Sequence, residues 1–230
     1  MGEYVFNELV LEIANNKRSF SEYALKKQRV SNESTKEVYF EVCEKIADCY
    51  IPYGFKFSKS GPHITLKQKN IEFIYKIAFQ SSHYNIPGKN VAIDVFANIL
   101  SHKYKKWKIE NRSYLKFDSS NWAFELDKYI FGGNIGNLRK EHKYLSWNVG
   151  ISDTREKEIG NIIENINNLA VPFFNCFENR DKLIHEIEIG NLNHYFRMPS
   201  NTEKIINFYL YLTKMDINQR DIVKHKLNIK

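Results

Sequence analysis

Residues 53–80 read YGFKFSKSGPHITLKQKNIEFIYKIAFQ, and apolar side chains recur there at every second position. A period of two is typical of β-strands that bury one face. Turn-forming residues interrupt the alternation at 60–62 (SGP) and at 69–70 (KN). The segment therefore predicts three antiparallel strands joined by tight turns.

Helical patterns lie on either side of the strand-rich region. Residues 34–37 (STKE) match a capping box and predict a helix over 35–50. Residues 91–99 alternate like a strand, whereas 154–170 carry a helical apolar face that we expect to end before Pro172. Strands and helices that are segregated along a chain indicate an α+β fold. We predict an antiparallel sheet of about six or seven strands, with helices packed mainly on one face.

The length of 230 residues is enough for one large domain. We predict a single domain over 1–230, in which a core over 34–190 follows a helical extension over 1–33. Within that extension, residues 4–13 have the spacing of a short amphipathic helix. Further helices are expected over 191–230.

The net charge of +7 is concentrated in two segments. Residues 102–108 read HKYKKWK, and residues 214–230 hold five basic and two acidic side chains. The first thirteen residues contain glutamates and no lysine or arginine, unlike a secretory leader. No apolar run approaches the roughly 18 residues that span a bilayer. We therefore expect a cytoplasmic protein that does not bind membranes.

The basic segment 102–108 has two interpretations. Lys105 and Lys106 can hold phosphates while Trp107 stacks on a base, which predicts binding of single-stranded nucleic acid. In an extended chain, however, these lysines are divided between two faces. The alternative is a solvated edge strand protected by lysines.

Four more polar residues are candidate binding groups. Gln80 and Ser82 lie where a predicted strand ends, and Asp94 and Asn148 lie in later strands. Strand ends often carry binding residues, although such side chains also satisfy the backbone of turns. Ser82 and His83 are adjacent and point to opposite faces of a strand, so they are poorly placed as a nucleophile and base. If Gln80, Asp94 and Asn148 converge, they form a dispersed enzyme site.

No motif predicts a metal or another cofactor. The three cysteines form no CxxC pair, and the seven histidines form no HxH, HxxxH or HExxH pattern. Residues 131–137 (FGGNIGN) are loop-like in composition and lack the Lys-Ser/Thr ending of a phosphate loop. Their glycines predict positive φ angles or close backbone approach. Residues 122–126 alternate like another strand.

Several short motifs recur in the order found in one bacterial family. They are Gly54-Phe55-Lys56, Gly61, Phe79-Gln80-Ser81-Ser82, Trp147-Asn148-Val149, Val171-Pro172-Phe173-Phe174 and Asp181-Lys182-Leu183-Ile184. In these motifs the chain resembles the bacterial family named "domain of unknown function 4304", over roughly residues 35–190. The resemblance implies a fold and a bacterial source. The family has no established activity, so it implies no catalytic residues.

The sequence shows no catalytic constellation, which favours a non-enzymatic protein that binds a protein partner by surface contact, such as an immunity or adaptor protein. Whether the chain has any catalytic activity stays open. One alternative is a protein that binds single-stranded nucleic acid through 102–108. A second alternative is a hydrolase-type enzyme with the dispersed site described above.

Overall fold

The computed structural model describes residues 33–67, 72–115, 128–192 and 202–229. The predicted helix over 4–13 and the predicted strand over 122–126 lie outside these residues. The described residues form helices and an antiparallel sheet, so the predicted α+β class is confirmed.

Six strands form the sheet in the described part of the chain. They are β1 (Lys56–Ser58), β2 (His63–Lys67), β3 (Ile74–Ser81), β4 (Ala92–Leu100), β5 (Tyr129–Asn134) and β6 (Ser146–Asn148). The order is β1-β2-β3-β4-β5, and β6 pairs with the first residues of β4. The first three strands are antiparallel, as residues 53–80 predicted.

The helices begin with α1, whose capping box is present as predicted. The Ser34 hydroxyl accepts from the Glu37 N–H, and the Glu37 carboxylate accepts from the Ser34 N–H at 2.9 Å. Such a box satisfies backbone donors that have no partner in the first turn. The α-helices of the described residues are α1 (Thr35–Asp48), α2 (His102–Glu110), α3 (Ser152–Asn165), α4 (Val171–Asn175), α5 (Arg180–Glu188), α6 (Thr202–Thr213) and α7 (Arg220–Lys226).

The central strands have one buried face. On β3, residues 75, 77 and 79 are buried, whereas 74, 76 and 78 are half-buried. The Tyr75 ring stacks on Phe174 of α4, with 5.1 Å between the ring centroids. The ring centroids of Phe131 of β5 and Phe173 are 4.7 Å apart. Tyr75, Phe173 and Phe174 belong to one core cluster of buried residues that includes Val38 and Leu227, and Phe131 packs against it. The period of two in the sequence therefore separates core positions from the rest.

The helix predicted over 154–170 ends before Pro172, but the chain stays helical beyond it. A π-helical turn over Ile166–Ala170 joins α3 to α4, and Pro172 lies in the first turn of α4. Proline is tolerated there because the first N–H groups of a helix have no intrahelical partner. The sequence did not predict α4, because Pro172 was taken only as the end of one helix and not as the start of the next.

The loop predicted over 131–137 is wrong. Residues through Asn134 belong to β5, and Ile135–Leu138 form a 3₁₀ turn. Gly132 and Gly136 do not have positive φ. A Cβ at Gly132 would lie 2.7 Å from Asn98 Oδ1, and one at Gly136 would collide with the Lys143 carbonyl oxygen. Close approach of another backbone segment is therefore the reason for Gly136, whereas the atom nearest to Gly132 is the end of a side chain.

The edge strand predicted over 102–108 is a helix, α2. The Ser101 hydroxyl begins this helix by accepting from the Tyr104 N–H at 3.0 Å. Tyr104 and Lys108 are buried, and the Trp107 ring stacks on Tyr104 at 5.9 Å. Positions i, i+3 and i+4 share one helix face, so these residues fit a helix better than an alternating strand.

Candidate functional site

Alternate residues of β3 and β4 form a half-exposed sheet surface, opposite to the buried face. This surface is termed the open face and carries, in its centre, Lys76, Ala78, Gln80, Ala92, Asp94 and Phe96. Gln80 is exposed and the other five are half-buried. The open face thus has a small apolar floor around Phe96 and polar side chains at both ends.

Gln80, Asp94 and Ser146 form a row across three strands. Gln80 pairs with Asp94 between β3 and β4, and Asp94 pairs with Ser146 of β6. Directly opposed residues in antiparallel strands point to the same face, about 5 Å apart. The sequence named Gln80 and Asp94 as candidates, and the structure places them side by side.

Tyr144 adds an aromatic side chain to this row. Its hydroxyl donates to the Asp94 carboxylate at 2.8 Å, and the residue is 55% exposed. Partial burial, followed by the hydrogen bond and charge of Asp94, raises the pKa of Tyr144 to about 12. The Tyr144 phenol therefore stays protonated at neutral pH and donates to the carboxylate.

The buried side chain of Asn134 holds the segment that carries Tyr144. Its Oδ1 accepts from the N–H groups of Gly136 and Leu145, both at 2.9 Å. Its Nδ2 donates to the Leu145 carbonyl at 2.8 Å. One amide thus binds Leu145 as a neighbouring strand would, which fixes Tyr144 and Ser146 on either side.

Asn148 serves the backbone instead of joining the row. Its Oδ1 accepts from the N–H groups of Val91 at 3.0 Å and Gly150 at 2.9 Å. Its Nδ2 donates to the Lys89 carbonyl at 3.0 Å. The side chain therefore connects β6 to the turn before β4.

Ser82 also has a structural role. Its hydroxyl accepts from the Tyr84 N–H at 3.1 Å in the turn that follows β3. This local bond is the alternative that the sequence left open for strand-end side chains. Ser82 therefore lies close to the row along the chain without adding a group to it.

The three candidates from the basic segment lie on α2, away from the row. Lys106 forms an ion pair with Glu110 at 3.7 Å, and Lys105 is half-buried. The Trp107 ring packs against the rings of Tyr104 and Tyr211, whose centroids lie 5.9 and 5.7 Å from its own. Because these aromatic neighbours already pack against Trp107, the ring is poorly placed to stack on a base.

Sequence reasoning missed Tyr144, Phe96 and Lys76. The alternation of β3 and β4 contains a usable signal for Phe96 and Lys76, because both occupy positions opposite in phase to the buried residues. Tyr144 follows a polar stretch without periodicity. Its place depends on Asn134, ten residues earlier, so no local pattern reveals it.

Within residues 33–67, 72–115, 128–192 and 202–229, no group of three His, Cys, Asp or Glu side chains is arranged to hold a metal ion. In the same ranges, no helix combines the length and apolarity that crossing a bilayer requires.

Comparisons with known proteins found no relatives. No family model matches the chain, no curated protein matches it, and no solved structure matches it. The resemblance to the "domain of unknown function 4304" family therefore stays a prediction.

Proposed function

We propose that this chain is a non-catalytic binding protein that engages a protein partner through the open face of its sheet. The observation that carries the proposal is the row of Gln80, Asp94 and Ser146, to which Tyr144 is hydrogen-bonded. Strands of a packed sheet hold these groups at fixed spacing. A preorganised surface loses little conformational entropy when it binds.

Tyr144 has the properties of an interface anchor. Tyrosine is enriched among the residues that contribute most to protein binding, because it offers a large apolar surface and one polar group. Here the ring is more than half exposed, and its hydroxyl is held by Asp94. An immunity or adaptor role, as the sequence predicts, is one form of such surface contact.

The geometry favours binding over the hydrolase alternative. That alternative needed Gln80, Asp94 and Asn148 to act on one substrate. The amide of Asn148 is engaged by three backbone groups, and the Asp94 carboxylate accepts from Tyr144. These contacts give Asn148 and Asp94 a structural explanation that requires no catalytic role.

The proposal is tested by affinity capture from an extract of the source organism, with the full chain immobilised. Three baits are compared: wild type, a Gln80→Arg/Tyr144→Ala double variant, and Lys157→Ala on α3 as a control. Lys157 is exposed on a helix, so its loss leaves the open face intact. We expect a protein that wild type and the control retain equally and that the double variant loses.

Two results contradict the proposal. One is capture that is equal for all three baits, since binding would then use another surface. The other is turnover in a hydrolase screen that Asp94→Asn abolishes, since the row would then be catalytic.

A further inference from the structure

The open face is basic at the end opposite to Tyr144. Lys56 of β1 pairs with residue 65 of β2, which pairs with Lys76 of β3, which pairs with Asn98 of β4. The side chains of Lys56 and Lys76 therefore share the open face. Two strand spacings separate their Cα atoms, which is about 10 Å.

Neither lysine has an ion-pair partner within the described part of the chain. Other lysines nearby do: Lys45 binds Glu41 and Glu156, and Lys59 binds Glu44 at 2.8 Å. The acidic side chains near β1 thus form ion pairs with Lys45 and Lys59. The positive charges of Lys56 and Lys76 on the open face are therefore available to a bound anionic group.

Lys76 is held in an environment that disfavours its charge. The side chain is half-buried, and burial, followed by the ammonium of Lys128, lowers the pKa of Lys76. A half-buried cation beside a second cation gains most from an anion that replaces its lost water.

We propose that the basic end of the open face, around Lys56 and Lys76, binds an acidic segment of the protein partner. The inference rests on the proposed function and names the chemistry of its partner. Carboxylates on one face of an extended segment lie about 7 or 13 Å apart, and flexible lysine stems span the difference from 10 Å. Gln80 and Tyr144 then contact the rest of the partner.

An acidic protein fits this surface better than a nucleic acid. Single-stranded nucleic acids use several aromatic platforms, but Phe96 is the one aromatic residue in the centre of the open face as defined above. Asp94 lies two residues before Phe96 on β4, and the phosphates of a nucleic acid offer its carboxylate no hydrogen-bond donor. The same carboxylate accepts hydrogen bonds from a peptide.

The experiment measures fluorescence anisotropy of labelled poly-L-glutamate with the full chain at low and physiological salt. The variants are Lys56→Ala/Lys76→Ala and a matched control, Lys157→Ala/Lys182→Ala, which removes the same charge from exposed helix positions. We expect the open-face variant to bind about tenfold more weakly and the control to bind within about twofold of wild type. A Lys56→Arg/Lys76→Arg variant, which keeps the charge, should restore binding.

Three outcomes of the anisotropy measurement overturn the inference: no binding of poly-L-glutamate at low salt, equal losses in both double alanine variants, or tighter binding of oligothymidylate that Lys56→Ala/Lys76→Ala abolishes. The last result assigns the face to nucleic acid. A captured partner that needs Gln80 and Tyr144 but binds Lys56→Ala/Lys76→Ala normally overturns the acidic partner and leaves the proposed function standing.

Discussion

The two faces of the sheet use alternate residues of the same strands for different purposes. On the buried face, Tyr75 stacks on Phe174 and the side chains have little exposed surface. On the open face, Phe96 and Asp94 are half-exposed although they lie on the most central strand. The contrast teaches that one face holds the fold together, while the other is free to vary in chemistry.

The largest expected difference between the faces is in packing. Phe174→Ala removes a fully buried ring, so we expect it to cost about 3–5 kcal/mol of unfolding free energy. Phe96→Ala removes a half-exposed ring and should cost roughly 1 kcal/mol. Urea denaturation of both variants measures the difference. Equal losses would show that the open face also contributes to the core.

A second comparison tests whether close approach holds the edge of the open face. Gly136→Ala forces a Cβ onto the Lys143 carbonyl oxygen, and we expect a loss of about 2–3 kcal/mol. Gly160→Ala is the control, because a Cβ there meets no atom within 4 Å and alanine favours its helix. Thermal melts should show destabilisation for the first and a gain of about 0.5–1 kcal/mol for the second.

Two glutamates, Glu178 and Glu188, should change the free energy of unfolding in opposite directions as the pH rises. Burial raises the pKa of Glu178, and the nearby hydroxyl of Tyr75 offsets this partly. When folding raises the pKa of a carboxyl group, the free energy of unfolding falls as the pH rises towards that raised pKa, because the folded state disfavours the charged carboxylate. Hydrogen bonds from Lys226 and then Tyr209 lower the pKa of Glu188, so its contribution is lost as pH falls through that lowered value.

Substitution by glutamine separates the two cases. We expect Glu178→Gln to stabilise the protein at neutral pH and Glu188→Gln to destabilise it, with both effects below about 1 kcal/mol because neither side chain is fully buried. Chemical denaturation between about pH 2.5 and 8, a range that extends below the ordinary carboxyl pKa, measures both variants. Shifts of the same sign would contradict the assignment.

The smallest effect on stability is expected at Tyr144. Tyr144→Phe removes one partly exposed hydrogen bond to Asp94 and should cost about 0.5 kcal/mol. Asp94→Asn removes the charge that disfavours the phenolate, so the pKa of Tyr144 should fall from about 12. Titration of ¹³C-labelled tyrosine by NMR measures this pKa, and an unchanged value would show that burial alone raises it.

Sequence periodicity predicted the sheet where strands bury every second residue. The alternation over 53–80 and the capping box at Ser34 are local signals, and both were confirmed. The prediction of a strand over the basic segment was wrong. Tyr104 of this segment is buried by contact with residues of α6, which lie about a hundred positions later in the chain. Local patterns do not contain that contact.

The candidate site shows the same division. Gln80 was named because it ends a predicted strand and Asp94 because it is a polar residue within one, and strand register places them together. Asn148 was named because it too is a polar residue in a predicted strand, but its bonds to the Val91 and Gly150 backbone depend on tertiary geometry. Polarity in a strand therefore marks residues with a special role without saying whether they serve a partner or the backbone.

The reliance on Asn134 has a consequence for chemical ageing. Deamidation to aspartate would keep an oxygen that accepts from Gly136 and Leu145, but it would replace the donor at the Leu145 carbonyl by a second negative oxygen. A change of one atom at a buried side chain would thus loosen Tyr144, although Tyr144 itself stays chemically intact. The proposed binding surface would then change although none of the residues that form it is chemically altered.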